Sequence, residues 1–181
     1  MAFLPSLPAD VRLPDLFKTF PATSKPLIEY HEALLRGPSP LSVAERELIA
    51  AFVSGLNACS YCHGVHGATA KAFGVSEKLL SDLLNDVAQS HVDGRLKPIL
   101  AFVKKLTLTP SRMTQADADA VFAAGWDEQA LHDAVSVCAL FNFMNRLVEG
   151  LGIKGDAGYF LEASKRLSEH GYATLLKLLG S

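Results

Sequence analysis

Apolar residues recur at helical spacing along most of this chain, whereas strict alternation of apolar and polar positions is rare. The strongest apolar run covers residues 43–56, and it follows a capping box in which Ser42 precedes Glu45 by three positions. The Asn-Gly pair typical of hairpins is missing, and we find no convincing strand. The pattern therefore predicts an all-α fold of about eight helices.

Capping residues and helix breakers divide the chain into separate helices. We expect one helix to begin at Ser24 and to end before Gly37 and Pro38, and we expect Asn57 to cap the helix that follows residues 43–56. Further helices are expected over residues 58–73, 76–87, 96–108, 114–125, 127–150 and 156–170, followed by a short amphipathic tail over residues 172–179.

The organisation of the chain is that of one domain over residues 1–181. Residues 1–23 are rich in proline and lack sustained periodicity, which indicates an extended N-terminal arm packed on the body or on a neighbouring subunit. A weak internal echo relates residues 45–75 to residues 128–153, since both run from an acidic start through an apolar helix to a glycine. This echo predicts two pseudo-symmetric halves.

Composition narrows the functional classes. Hydrophobic residues make up 49% of the chain and charged residues 20%, and the formal net charge is -2. Nothing here indicates binding to nucleic acid or to a membrane surface. No apolar stretch approaches the roughly 18 residues that span a bilayer, and no secretory signal precedes the helices, so we expect a cytoplasmic protein.

The residues that carry chemistry lie between Glu47 and His66. On a helix, Cys59 and Cys62 are neighbours at i, i+3, and Cys62 and His66 at i, i+4, so all three share one face. A helix N-terminus favours a thiolate over a thiol, and His66 is placed to take the thiol proton. Glu47, on the preceding helix, is placed to orient the imidazole.

Such a set of groups suits the reduction of peroxides. A thiolate attacks one peroxide oxygen and becomes a sulfenic acid, and a second cysteine condenses with it to form a disulfide. An external dithiol then restores the pair by exchange. This cycle requires no metal, haem or flavin cofactor.

The pattern of Glu47, eleven residues, Cys59-x-x-Cys62, three residues and His66 resembles the core of AhpD-like alkylhydroperoxidases. These proteins belong to the carboxymuconolactone decarboxylase-like superfamily. The core lies in residues 42–75, and residues 141–146 with 151–153 are similar to the branch called peroxidase-related proteins. The resemblance covers most of residues 24–155.

This resemblance implies an all-helical bundle that forms a homo-oligomer, a dimer or a hexamer built from dimers. It implies that Cys62 is peroxidatic, Cys59 is resolving, and Glu47 and His66 form a proton relay. The substrate would be an organic hydroperoxide, and the reductant an external lipoamide- or thioredoxin-like dithiol. In the founding group a histidine precedes the second cysteine. Here that residue is Tyr61, which can donate a hydrogen bond but is a poor base near neutral pH.

Other interpretations of the motif remain open. The run from Cys59 to His63 matches a c-type haem attachment site, and Cys59, Cys62, His63 and His66 together could ligate zinc in a metal-binding or redox-sensing module. A thioredoxin-like centre lacks the expected strands. A lactone decarboxylase on the same scaffold is a further alternative, although such family members generally lack the cysteine pair.

Several conspicuous residues have a structural interpretation. Cys138 lies in an apolar run and is expected to be buried as a hydrophobic residue. We expect Trp126 to serve packing, and Arg146 to join a structural polar network with Asn142 and Asn145. The histidines without a partner pattern are expected at or near the surface: His31, His91, His132 and His170.

Overall fold

The computed structural model describes residues 2–179, which contain nine α-helices, two 3-10 helices and no strand. The α-helices are α1 (Leu13–Thr19), α2 (Pro21–Arg36), α3 (Val43–Leu56), α4 (Ser60–Ala72), α5 (Glu77–Asn85), α6 (Leu96–Leu108), α7 (Gln115–Ala123), α8 (Glu128–Gly150) and α9 (Ala157–His170). The 3-10 helices are Pro110–Arg112 and Ala173–Leu179, the latter being the C-terminal 3-10 helix. None of the helices in this range is long and apolar enough to cross a membrane. The predicted all-α class is confirmed.

Helix α3 is the centre of the fold. Residues 48–54 are all buried, so this helix is covered on every side and not along one stripe only. The predicted capping box closes its first turn: the Ser42 hydroxyl accepts a hydrogen bond from the Glu45 N–H at 3.2 Å, and the Glu45 carboxylate accepts one from the Ser42 N–H at 2.7 Å. Helices α4, α5, α6 and α8 pack around α3.

The two ends of the chain come together beside this centre. Helix α9 packs along α4, and the C-terminal 3-10 helix packs against α1 and α2. Segments from both ends therefore surround the helix that carries the cysteine motif.

The predicted extended arm over residues 1–23 is wrong from Leu13 onward, where α1 and the first turn of α2 lie. The error arose because the proline content of this segment was interpreted as a sign of extended structure. Pro14 and Pro21 both occupy the first turn of a helix, where the missing N–H needs no partner and the fixed φ suits the helix. Burial of Phe17 then anchors α1 to the core.

Two predicted helix caps are also wrong. Ser24 lies inside α2, where its hydroxyl donates a hydrogen bond to the carbonyl of Phe20 at 2.8 Å. Asn57 ends α3 and does not begin α4, whose N-cap is Cys59. The chain makes this turn through Ala58, which adopts a left-handed φ of 54°.

Most of the later helix boundaries are confirmed. Helix α6 has the predicted bounds, and the carboxylates of Asp127 and Asp156 cap α8 and α9 as expected. The two segments of the internal echo fold differently, because residues 45–75 form two helices whereas residues 128–153 contain one unbroken helix.

Candidate active site

Cys59 and Cys62 lie at the N-terminus of α4, both reduced and both buried. Cys59 is the N-cap residue, so it precedes the helix instead of lying within it as predicted, and Cys62 is the third helical residue. Open backbone N–H groups at this end of a helix favour negative charge on sulfur.

The two thiols interact directly, and each changes the pKa of the other. A hydrogen bond from the Cys62 side chain lowers the pKa of Cys59, although burial acts in the opposite direction. The same hydrogen bond, together with burial, raises the pKa of Cys62. The pair therefore carries its first negative charge on Cys59, and Cys62 needs a base in order to lose its proton.

Glu47 is completely buried and holds the imidazole of His66. Its Oε2 accepts a hydrogen bond from His66 Nδ1 at 2.8 Å. Because Nδ1 is engaged in this contact, Nε2 is the nitrogen that is available for proton exchange. The structure thus brings Glu47 on α3 and His66 on α4 together.

Two further side chains meet the second oxygen of Glu47. The Tyr172 hydroxyl donates to Oε1 at 2.8 Å, and Arg36 Nη1 pairs with the same oxygen at 2.7 Å. Burial by itself would raise the pKa of Glu47, but His66, Arg36 and Tyr172 outweigh it and lower the pKa. Glu47 is therefore ionised although it is buried.

An apolar pocket opens beside Cys62 and His66, with a volume of about 50 Å³. Its walls come from α1, α2, α4, α8, α9 and the C-terminal 3-10 helix, and they include Phe17, Phe141 and Leu167. Cys59 is fully buried and does not line this pocket. Cys62 is thus the sulfur that a molecule in the pocket would meet.

Tyr61 lines the same pocket, but its hydroxyl is engaged elsewhere. It shares a hydrogen bond of 2.7 Å with the Tyr159 hydroxyl and accepts one from the Leu13 N–H at 3.3 Å. Burial raises the pKa of Tyr61 above its ordinary value, so the hydroxyl keeps its proton. Within residues 2–179 it bonds to neither cysteine nor to His66, and its contacts join α1 and α9 to α4.

Amide side chains of α8 support the cysteine turn from the other side. Asn57 donates to Asn142 Oδ1 at 3.1 Å and to Asn145 Oδ1 at 2.9 Å. Cys59 and burial raise the pKa of Cys62, and a hydrogen bond with Asn145 partly opposes this rise. The predicted structural network on α8 therefore exists, and it extends to the cysteine pair.

His31 was expected near the surface, and this prediction is wrong. The residue is buried, lines the pocket, and donates from Nδ1 to the carbonyl of Leu27 at 2.8 Å. Its ring lies 5.4 Å from the Tyr172 ring, measured between centroids. Burial lowers the pKa of His31 to about 4, so the imidazole is neutral near pH 7. The apolar stripe of α2, which includes Ile28 and Leu35, could have indicated this burial.

The remaining polar candidates lie apart from the pocket. Cys138 is buried as predicted, and burial raises its pKa. His63 engages the carbonyl of Ala51 at 2.9 Å. Within the described range, no three or more His, Cys, Asp or Glu residues are arranged so that they could hold a metal ion. The other three isolated histidines are exposed: His91, His132 and His170.

Sequence reasoning missed Arg36, Tyr172 and Arg166, of which Tyr172 and Arg166 line the pocket. Arg36 lies in the last turn of α2, where a cation has an ordinary capping explanation. Tyr172 follows a glycine in the tail, and no local pattern connects it with Glu47. A search for buried charges needing partners could have suggested Arg36, but only tertiary contacts identify Tyr172.

Residues 21–105 match the carboxymuconolactone decarboxylase family. The chain is 26% identical to an uncharacterized peroxidase-related protein from a Silicibacter species, with 81% of this chain and 78% of that one covered and a TM-score of 0.74. The fold is also similar to an alkylhydroperoxidase AhpD core structure, an uncharacterized peroxidase-related protein from Ralstonia eutropha. That chain is 23% identical, with coverage of 83% and 79% and a TM-score of 0.75. No curated protein matches the chain.

Proposed function

We propose that this chain, whose residues 21–105 match the carboxymuconolactone decarboxylase family, reduces organic hydroperoxides through a dithiol cycle of Cys59 and Cys62. The observation that carries the proposal is that Cys62 and His66 line one apolar pocket while Glu47 holds the other side of the imidazole. A nucleophile, a base and an orienting carboxylate are thus arranged at one apolar cavity.

The oxidative half of the cycle begins with proton transfer from the Cys62 thiol to His66 Nε2. The thiolate attacks the terminal oxygen of the hydroperoxide, the O–O bond breaks, and the alkoxide takes the proton back from His66 as an alcohol leaves. Cys62 is then a sulfenic acid. The raised pKa of Cys62 makes its thiolate a strong nucleophile once the base has acted.

The reductive half begins at Cys59. Its thiolate attacks the sulfenic sulfur, a disulfide forms, and the leaving hydroxide becomes water by taking up the proton that Cys59 released when it ionised. The lowered pKa of Cys59 suits this step, because a larger fraction of the residue is thiolate. An external dithiol, lipoamide- or thioredoxin-like, then reduces the disulfide by exchange. Tyr61 contributes by holding the pocket wall in place.

A direct test follows the consumption of cumene hydroperoxide with a small dithiol as reductant. We expect Cys62→Ser to lose activity, whereas Cys138→Ala keeps it, since Cys138 lies away from the pocket. Full activity in Cys62→Ser would remove the basis of the proposal.

A second test separates the roles of the two sulfurs. We expect Cys59→Ser to accumulate a sulfenic acid at Cys62, identified by a dimedone adduct in mass spectrometry. Labelling at Cys59 in Cys62→Ser, with no labelling of Cys62 in Cys59→Ser, would reverse the two roles.

A further inference from the structure

One cationic side chain, Arg166, lines the apolar pocket together with Cys62 and His66. It lies on α9 between Ala163 and Leu167, two buried residues that line the same pocket. The other pocket walls are largely aliphatic or aromatic. A guanidinium in an apolar wall needs an explanation, because its buried N–H donors require hydrogen-bond partners.

The Nε atom of Arg166 is buried and has no hydrogen-bond partner within residues 2–179. Two other arginines near the core have partners for other atoms of the guanidinium. Arg36 pairs with Glu47, and Arg46 has a buried, unpartnered Nε but donates from Nη1 to the carbonyls of Leu34 and Gly37. Those two cations hold helices together. In the same part of the chain, Arg166 forms no ion pair.

We propose that Arg166 binds a carboxylate carried by the hydroperoxide, so that the preferred substrate is a short apolar hydroperoxide with an acid group. This inference rests on the proposed function. A guanidinium can present its two Nη groups as a planar fork that matches the two oxygens of a carboxylate. The pocket volume of about 50 Å³ favours a short chain between the peroxide at Cys62 and the acid at Arg166.

The test compares two substrates that differ only in charge. One is a tertiary alkyl hydroperoxide with a propanoate arm, and the other is its methyl ester. We expect the protein to prefer the acid by about tenfold or more in kcat/KM, because a charge-assisted contact is lost in the ester. The preference should appear in KM more than in kcat, since Arg166 acts on binding.

Variants of α9 then locate the effect. In Arg166→Met the preference for the acid should disappear, and Arg166→Lys should keep only part of it, because lysine lacks the planar fork. Lys165→Met removes a neighbouring exposed cation that does not line the pocket, and it should keep the full preference. Equal use of acid and ester by the unchanged protein, or an unchanged preference in Arg166→Met, would overturn the inference.

A binding measurement separates this inference from the proposed reaction. In Cys62→Ser, pentanoate should bind at least about tenfold more tightly than pentanol by calorimetry, and Arg166→Met in the same background should abolish the difference. If neither hydroperoxide is consumed, the proposed function fails while this comparison still decides the role of Arg166. Equal binding of the two compounds would contradict it. Melting curves of each variant identify loss of folding.

Discussion

At the scale of single residues, Glu47 organises the site because its two oxygens serve different partners. Oε2 holds His66, while Oε1 receives Tyr172 and Arg36. A fully buried carboxylate is stable only when such donors surround it. Burial lowers the pKa of both His31 and Arg46, and the negative charge of Glu47 partly opposes this in each case.

Tyr172→Phe removes one hydroxyl donor from Glu47 and keeps the aromatic ring. We expect kcat to fall by about three- to tenfold, because His66 is held less firmly. The tyrosine hydrogen bond is one of the contacts that lower the pKa of Glu47, so its loss raises that pKa. The acidic limb of the pH–rate profile should therefore move to higher pH. Tyr30→Phe, an exposed tyrosine on α2, is the matched control, and an unmoved acidic limb in Tyr172→Phe would contradict this role.

His31 predicts a loss of stability in mild acid. Burial lowers the pKa of His31 from the ordinary 6.5 to about 4. Between pH 6.5 and pH 4 the imidazole is therefore protonated in the unfolded chain and neutral in the folded protein. The contribution of neutral His31 to the free energy of unfolding is complete above pH 6.5 and is lost as the pH falls toward 4. Urea unfolding should show the protein losing about 3 kcal/mol more than His31→Phe between pH 7 and pH 4. Equal losses in the two proteins would show that His31 titrates normally.

At the scale of elements, the junction between α9 and the C-terminal 3-10 helix places Tyr172. Gly171 has φ 67° and ψ -167°, a conformation open to glycine but not to other residues. The Glu32 carboxylate on α2 accepts hydrogen bonds from the N–H groups of Tyr172 at 2.6 Å and of Ala173 at 2.9 Å. The turn and the carboxylate together bring the tail to Glu47.

Gly171→Ala should therefore cost about 1–3 kcal/mol of stability, measured by denaturant unfolding. A Cβ there would lie 2.7 Å from Glu32 Oε2, in addition to the backbone strain. Activity should fall as well, because Tyr172 leaves its place. Gly150→Ala is the matched control, since a Cβ at that helical position meets nothing and should not destabilise the protein. Similar stabilities of the two variants would contradict this account of the turn.

At the scale of the whole molecule, exposed aromatic residues mark a face formed by α1, α2 and α8. Phe143 is 52% exposed and Phe20 is 41% exposed, and both border an apolar groove that Leu147 and Leu151 also line. Apolar surface of this kind is typical of an interface between protein chains. We propose that this face contacts a second copy of the chain in the expected dimer or hexamer.

Phe143→Glu tests this proposal. The charge should prevent burial of the face, and light scattering should give a smaller assembly than that of the unchanged protein. Leu108→Glu is the control, because Leu108 is equally exposed but lies on α6, outside the groove. A monomeric unchanged protein, or an unaltered assembly in Phe143→Glu, would contradict the predicted interface.

The sequence by itself determined the helical class, most helix ends after residue 42, and the presence of Cys62 and His66 on one helix. These features depend on periodicity and on capping contacts between residues three or four positions apart. Only the tertiary structure decided that α1 is a helix, that Cys59 precedes α4, and that His31 is buried. Proline is compatible both with an extended segment and with the first turn of a helix. Asparagine can cap the next helix or bond to a distant one. The local pattern therefore does not decide between these structures.

The same limit applies to the candidate site. Glu47 and His66 are 19 positions apart and lie on successive helices, so the motif was sufficient to bring them together in the prediction. Tyr172 lies 125 positions from Glu47, and its contact depends on how the C-terminal 3-10 helix packs against α1 and α2. Such packing is set by shape and burial over the whole core, which no short segment encodes.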